Sequence, residues 1–99
     1  MNTLVAEVTS VYVEVVDKEG LPVDGVTVTV RDGFVILDQN ISANGGDLRL
    51  RLPYGSYQAT ATLSGILVAE IENFVAPATG LVAIEIDLER VDLSFVDLD

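Results

Sequence analysis

The runs VVDKEGLPVDGVTVTV (residues 15–30) and GGDLRLRLPYGSY (residues 45–57) decide the fold. In the first, the apolar stretch ends at Asp17, and Lys18, Glu19 and Gly20 supply a turn. A Leu21-Pro22 pair follows, and Asp24-Gly25 turns the chain again into Val26, Val28 and Val30. Successive side chains of a strand point to opposite faces. Alternation therefore places these valines on a core face, with Thr27, Thr29 and Arg31 outside. In the second run Leu48, Leu50 and Leu52 face inward, and Arg49 and Arg51 face out. Pro53-Tyr54-Gly55 then turns a corner, and a third strand starts at Ser56.

Working outward, residues 11–16 (VYVEVV) read as the first strand of this series. Asp32-Gly33 between alternating segments is a hairpin signal. Residues 34–38 form a short strand, and QNISANGG (residues 39–46) is a polar loop. Tyr57, Ala59, Ala61 and Leu63 share the inward face of the next strand. Ser64-Gly65 turns into a strand over residues 66–74 with Glu70 and Glu72 exposed. After the loop APATG, a strand over residues 81–89 sets Val82, Ile84, Ile86 and Leu88 inside. Short strands at regular spacing predict an all-β, antiparallel sandwich of seven strands or slightly more. Its expected core is Val13, Val15, Val28, Val30, Leu48, Leu50, Tyr57, Ala59, Ile84 and Ile86.

After Leu88 the parity breaks, because Val91, Leu93 and Phe95 are apolar where the earlier register would bury Arg90, Asp92 and Ser94. A one-residue shift exchanges the two faces of a strand, so a bulge or a new strand is expected near Arg90. The whole chain reads as one sandwich domain, with residues 1–10 and 90–99 as terminal extensions that alternate enough to pair as strands.

The two opening runs resemble the carboxypeptidase regulatory-like domain, a small sandwich of the transthyretin (prealbumin) type, over about residues 11 to 88. Its members read V-x-D-x-x-G-x-P-hydrophobic-x-G-V/A-x-V and then G-x-hydrophobic-x-hydrophobic-x-L-P-x-G-x-Y. Both patterns are matched here, from Val15 to Val28 and from Gly46 to Tyr57. The resemblance implies an Ig-like or prealbumin-like sandwich that serves as an accessory module. Some relatives join a lysine near the first strand to an Asn or Asp of the last by an isopeptide bond. The single lysine here, Lys18, lies in a turn, where a solvated side chain is the ordinary expectation. Hydroxyisourate hydrolases on the transthyretin fold depend on histidine, and this chain has none.

Composition narrows the chemistry further. Absence of cysteine removes disulfides, thiolate metal sites and a cysteine nucleophile. Absence of histidine removes the commonest general base and metal ligand. The net charge is −11, from sixteen acidic residues against one lysine and four arginines. Such a field repels a nucleic-acid backbone and an anionic membrane. An acidic, lysine-poor composition resembles proteins of high-salt organisms, and is equally the solvated surface that keeps a β protein from aggregating. The first residues, MNTLVAEVTSVYVEVV, lack a basic n-region and are interrupted by Glu7 and Glu14, so they do not read as a signal peptide.

Each candidate site in the sequence also has an ordinary structural role. Asp38, Asn40 and Asp47, with Ser42 and Asn44, offer hard oxygen ligands that suit calcium. Ala43 stands where an EF-hand loop requires glycine, and turn formation accounts for the same residues. Asp17, Glu19 and Asp24 could be paired carboxylates, yet Asp-Gly turns and solvation explain them. Neither a catalytic residue nor a cofactor is expected. Arg49 and Arg51, the one concentration of positive charge, either pair with Glu70, Glu72 or Glu85 on neighbouring strands or meet an acidic face of another copy. Tyr54 in the corner is either a packed or an exposed aromatic.

The expected function is a non-enzymatic structural module acting through protein–protein contacts, as a homo-oligomer or within a larger assembly. A virion decoration or tail protein and a surface-filament subunit are natural settings. Absence of a leader points toward the virus particle, and the acidic balance toward a high-salt host. Val91, Leu93, Phe95, Arg49 and Arg51 are the expected partner-binding residues. The alternative is a carbohydrate- or small-ligand-binding module, for which the aromatic content, with no tryptophan, is thin.

Overall fold

The computed structural model describes residues 8–77, 80–89 and 91. The expected lead before Val8 and the tail positions Leu93 and Phe95 lie outside the described residues. Among the described residues seven strands follow in chain order: β1 (Val8–Val16), β2 (Thr27–Asp32), β3 (Val35–Ile41), β4 (Asp47–Pro53), β5 (Gly55–Leu63), β6 (Ile66–Ala76) and β7 (Val82–Glu85). They form a three-stranded sheet, β4-β1-β7, and a four-stranded sheet, β3-β2-β5-β6. The fold is an all-β sandwich. Val8–Ser10, expected in a terminal extension, belong to β1 and pair with β4 from Pro53 to Arg51.

Alternation builds the core. Val11, Val13 and Val15 from β1 and Leu48, Leu50 and Leu52 from β4 meet Val28, Val30, Ala59 and Ala61 of the other sheet. Every expected core residue is buried. Thr29 departs from the expectation of an outward, solvated position, being only 5% exposed. It sits on a central strand between Gln39 of β3 and Thr60 of β5. The Gln39 amide covers it and donates to Thr29 Oγ1 at 2.7 Å.

Two tight turns follow from local chemistry. Gly33, at φ +64°, opens the two-residue β2–β3 turn, where the twist of the strands demands a left-handed residue. Ser64 and Gly65, at φ +54° and +80°, form the doubly left-handed β5–β6 turn. At the Pro53-Tyr54-Gly55 corner, Tyr57 folds back and its hydroxyl donates to the Pro53 carbonyl at 2.7 Å, with the Tyr54 carbonyl at 3.2 Å. A Cβ on Gly55 would lie 2.7 Å from that hydroxyl, so the L-P-x-G-x-Y pattern records one close contact. Tyr54 itself is exposed.

Three expectations shift. Residues 39–41 extend β3 rather than opening the polar loop, which narrows to the turn before β4. The last strand ends at Glu85 rather than running to Glu89. Ile86 still donates to the Val16 carbonyl, but Asp87 donates to Val68 of β6, so the chain crosses to the other sheet before the expected break at Arg90. Finally, β7 runs parallel to β1, from Val13↔Val82 to Val16↔Glu85. It is reached by a crossover from the opposite sheet, so no hairpin forces an antiparallel direction.

Candidate functional site

The strand edges carry the most specific chemistry of this molecule. An edge strand presents unpaired backbone groups to any passing chain, and folded proteins blunt it with bulges, charges or covering groups. Among the described residues the edges are β3 and β6 of one sheet and β4 and β7 of the other. On β3, Val30 pairs with Asp38 but Arg31 with Ile36, which leaves Leu37 as an extra residue. On β6, pairing passes from Ala61↔Ala69 to Thr62↔Leu67, and from Tyr57↔Phe74 to Ala59↔Ile71, so this edge is bulged twice. Bulges twist and bend an edge away from a flat template.

β4 is covered by side chains instead. Asp38 Oδ2 accepts the Arg51 backbone N–H at 2.7 Å, and Asn40 Nδ2 donates to the Arg49 carbonyl at 2.9 Å. Their remaining oxygens accept backbone N–H groups of Gln39 and Ile41 at 2.8 Å. Asp38 and Asn40, set out above as calcium ligands, thus spend their polar atoms closing the seam between β3 and β4. Asp47, the third, lies across the strand pair opposite Glu14. Among the described residues no three carboxylates converge as a metal site.

Arg49 and Arg51 project from the outer face of the small sheet, in register with Tyr12 and Ser10 of β1. The expected pairing with Glu70 or Glu72 is not made, because those residues stand on β6 in the other sheet. Glu85 is separated from β4 by the whole of β1. The ion pair found among the described residues is Lys18 Nζ to Asp87 Oδ1 at 3.5 Å. Lys18 is therefore tied to the segment after β7, on an exposed rim where such a pair contributes at most about 1 kcal/mol.

The acidic cluster divides between two turns. Asp17 Oδ1 accepts the N–H groups of Glu19 and Leu21 at 2.8 and 3.0 Å. Asp24 Oδ1 accepts those of Gly45 and Gly46 at 3.1 and 2.6 Å. Each carboxylate organises backbone rather than facing the other across a cleft. Gly46 is required at its place: at φ +80°, its Cβ would lie 2.5 Å from the Val15 carbonyl oxygen.

Among the described residues, no side chain is seen to close the seam opposite the β3/β4 side. Between β6 and β7 runs a groove of about 360 Å³ whose apolar wall is Ile71, Phe74, Pro77, Val82 and Ile84. Sequence reading did not anticipate it. Its one signal was the lapse of strict alternation between Ile71 and Phe74, the site of the second β6 bulge. Val91, expected on a free tail face, is half-buried, packs against the core and donates its N–H to Leu88 at 3.1 Å. A comparison with known protein families and with curated proteins finds no match in either. What the geometry establishes is an all-β, two-sheet sandwich compatible with an Ig-like or prealbumin-like domain.

Proposed function

We propose that this chain is a non-enzymatic structural module of the carboxypeptidase regulatory-like kind, working by protein–protein assembly. The observation that carries the proposal is the asymmetry of its seams. One is closed by Asp38 and Asn40, while the other leaves an apolar groove beside β7. An apolar groove at a sheet edge suits strand addition, in which backbone bonds supply affinity and alternate side chains supply specificity. The exposed Arg49, Arg51 and Tyr12 face adds an orienting surface for an acidic partner, including another copy of a chain with net charge −11. A virion accessory protein or a surface-filament subunit is the setting we favour, on fold-level analogy.

A sugar-binding platform has less support. It would gather aromatic faces, whereas the exposed Tyr12, Phe34 and Tyr54 stand on β1, on the β2–β3 turn and at the β4–β5 corner. Native mass measurement of the full chain, at low and at molar salt, tests assembly. Species that are multiples of the 10.6 kDa chain are expected. A mass that stays at one chain under all conditions removes self-assembly from the proposal.

A further inference from the structure

Of the four sheet edges among the described residues, β3 and β6 are bulged and β4 is capped by side chains. β7 keeps straight register with β1 throughout its length, without a bulge. Together with β6, it borders the apolar groove. We infer that the free edge of β7 is an acceptor site for a strand, and that its occupant is the C-terminal segment, residues 92–99, of a second copy. This inference rests on the assembly reading above and specifies its contact.

The backbone direction can be worked out. Ile86 donates to Val16 of β1, and backbone groups alternate sides along a strand, so Val82 and Ile84 share that direction. Ala83 and Glu85 therefore turn their N–H and C=O groups toward the free edge. An incoming strand bonds to these two residues and lays alternate side chains over the groove. The C-terminal segment DLSFVDLD supplies Leu93 and Phe95 at that spacing. Eight extended residues reach about 26 Å, which is twice the length of four-residue β7.

A second copy is a better donor than the same chain. After β7, the N–H of Asp87 is bonded to Val68 and Val91 packs on the core, so the chain crosses to the β6 side and closes the far end of the seam. Its own tail starts beyond the end of β7 and would have to reverse to run back along it. A tail arriving from another copy enters the groove from solvent. Each copy then offers one donor and one acceptor, a head-to-tail contact that closes into a ring or continues as a filament. The acidic tail and Glu85 on β7 repel, so the contact is expected to strengthen with salt.

The test uses full-length variants in sedimentation velocity at about 1 M salt, where charge repulsion is screened to about 3 Å. Ala83→Pro removes an edge N–H without touching the bonds to β1, and proline is tolerated on edges whose N–H faces solvent. Glu85→Pro is the second acceptor variant, in case the first does not fold. The donor variant is Leu93→Asp with Phe95→Asp. Each alone should lose at least about tenfold in association constant, about 1.4 kcal/mol. Mixed, an acceptor variant and the donor variant should form a one-to-one dimer, because one retains a tail and the other a groove. Assembly of Ala83→Pro or of the donor variant at the wild-type level overturns the inference while leaving the assembly reading intact. So does a mixture that remains monomeric while the wild type assembles. A donor variant that loses melting temperature at every concentration assigns the tail to its own chain and also overturns it. A wild type that stays monomeric throughout sinks both readings.

Discussion

Replacing Ser42 by alanine tests how the β2 entry is held to the end of β3. Ser42 is 2% exposed. Its Oγ accepts the Val26 N–H at 3.0 Å and donates to the Val23 carbonyl at 2.8 Å. The Ser42 backbone bonds the same segment through the Val26 carbonyl and the Gly25 N–H, at 2.9 and 2.8 Å. Alanine would keep these backbone bonds and strip partners from two other groups. The Val26 N–H is fully buried and has no water to turn to, and an orphaned buried donor costs about 1–3 kcal/mol. Val23 is half-buried, so its carbonyl regains part of its loss from water. The expected total is about 2–3 kcal/mol, a large share of the ~5–15 kcal/mol of a typical domain. A urea titration followed by circular dichroism should show the midpoint falling by about 1–3 M at unchanged slope, for a slope of ~1–2 kcal/mol/M. Ser56→Ala, an exposed serine on β5, is the control and should stay within about 0.5 kcal/mol of wild type. If Ser42→Ala matches that control, a water replaces the hydroxyl and the argument from buried polar groups fails at this site.

Leu50 is fully buried, so Leu50→Ala should cost about 2–5 kcal/mol in the same titration. Thr29→Ala should cost about 1 kcal/mol rather than nothing, because it abandons the Gln39 amide on a covered face. Gly46→Ala drives a Cβ to 2.5 Å from a backbone oxygen at φ +80°. It should lose more than about 2 kcal/mol, measured by thermal melting, and a near-neutral result would mean that the turn shifts freely. Melting temperature should rise from low to molar salt, since a net charge of −11 opposes compaction until the Debye length drops from about 10 Å at 0.1 M to about 3 Å at 1 M. A flat or falling curve would remove that electrostatic argument.

What the sequence disclosed and what it withheld divide along physical lines. Period-two alternation is a local property, so the Val13, Val28, Leu50 and Ile84 faces were legible directly. Gly33, Ser64-Gly65 and the Pro53–Tyr57 corner were legible because a turn imprints its own residues. Burial of Thr29 was not, since it depends on which strands flank β2 on both sides. Placement of Glu70 and Glu72 in a different sheet from Arg49 was likewise a matter of long-range topology. Asp38 and Asn40 show the sharpest difference. As residue types they suit a hard cation, turn formation or backbone capping equally well, and only the approach of β4 decides for capping. The groove beside β7 had almost no local signature, because a cavity belongs to the space between strands.

The choice of capping groups follows from the chain's charge. Lysine is a common guard for exposed edges, but this chain has one, committed to the Asp87 rim. A −11 surface makes the carboxylate and the side-chain amide the available substitutes, and Asp38 and Asn40 act in that way on β4. Bulges, which need no charge, do the same on β3 and β6. β7 is short and carries the exposed Glu85, but among the described residues it has neither a bulge nor a capping side chain, and Ala83 on it is exposed and uncharged. An added guard at Ala83 would leave the core untouched. An edge with neither bulge nor cap beside an apolar groove is the place on this molecule best suited to strand pairing, with Glu85 and the shortness of β7 as its remaining guards.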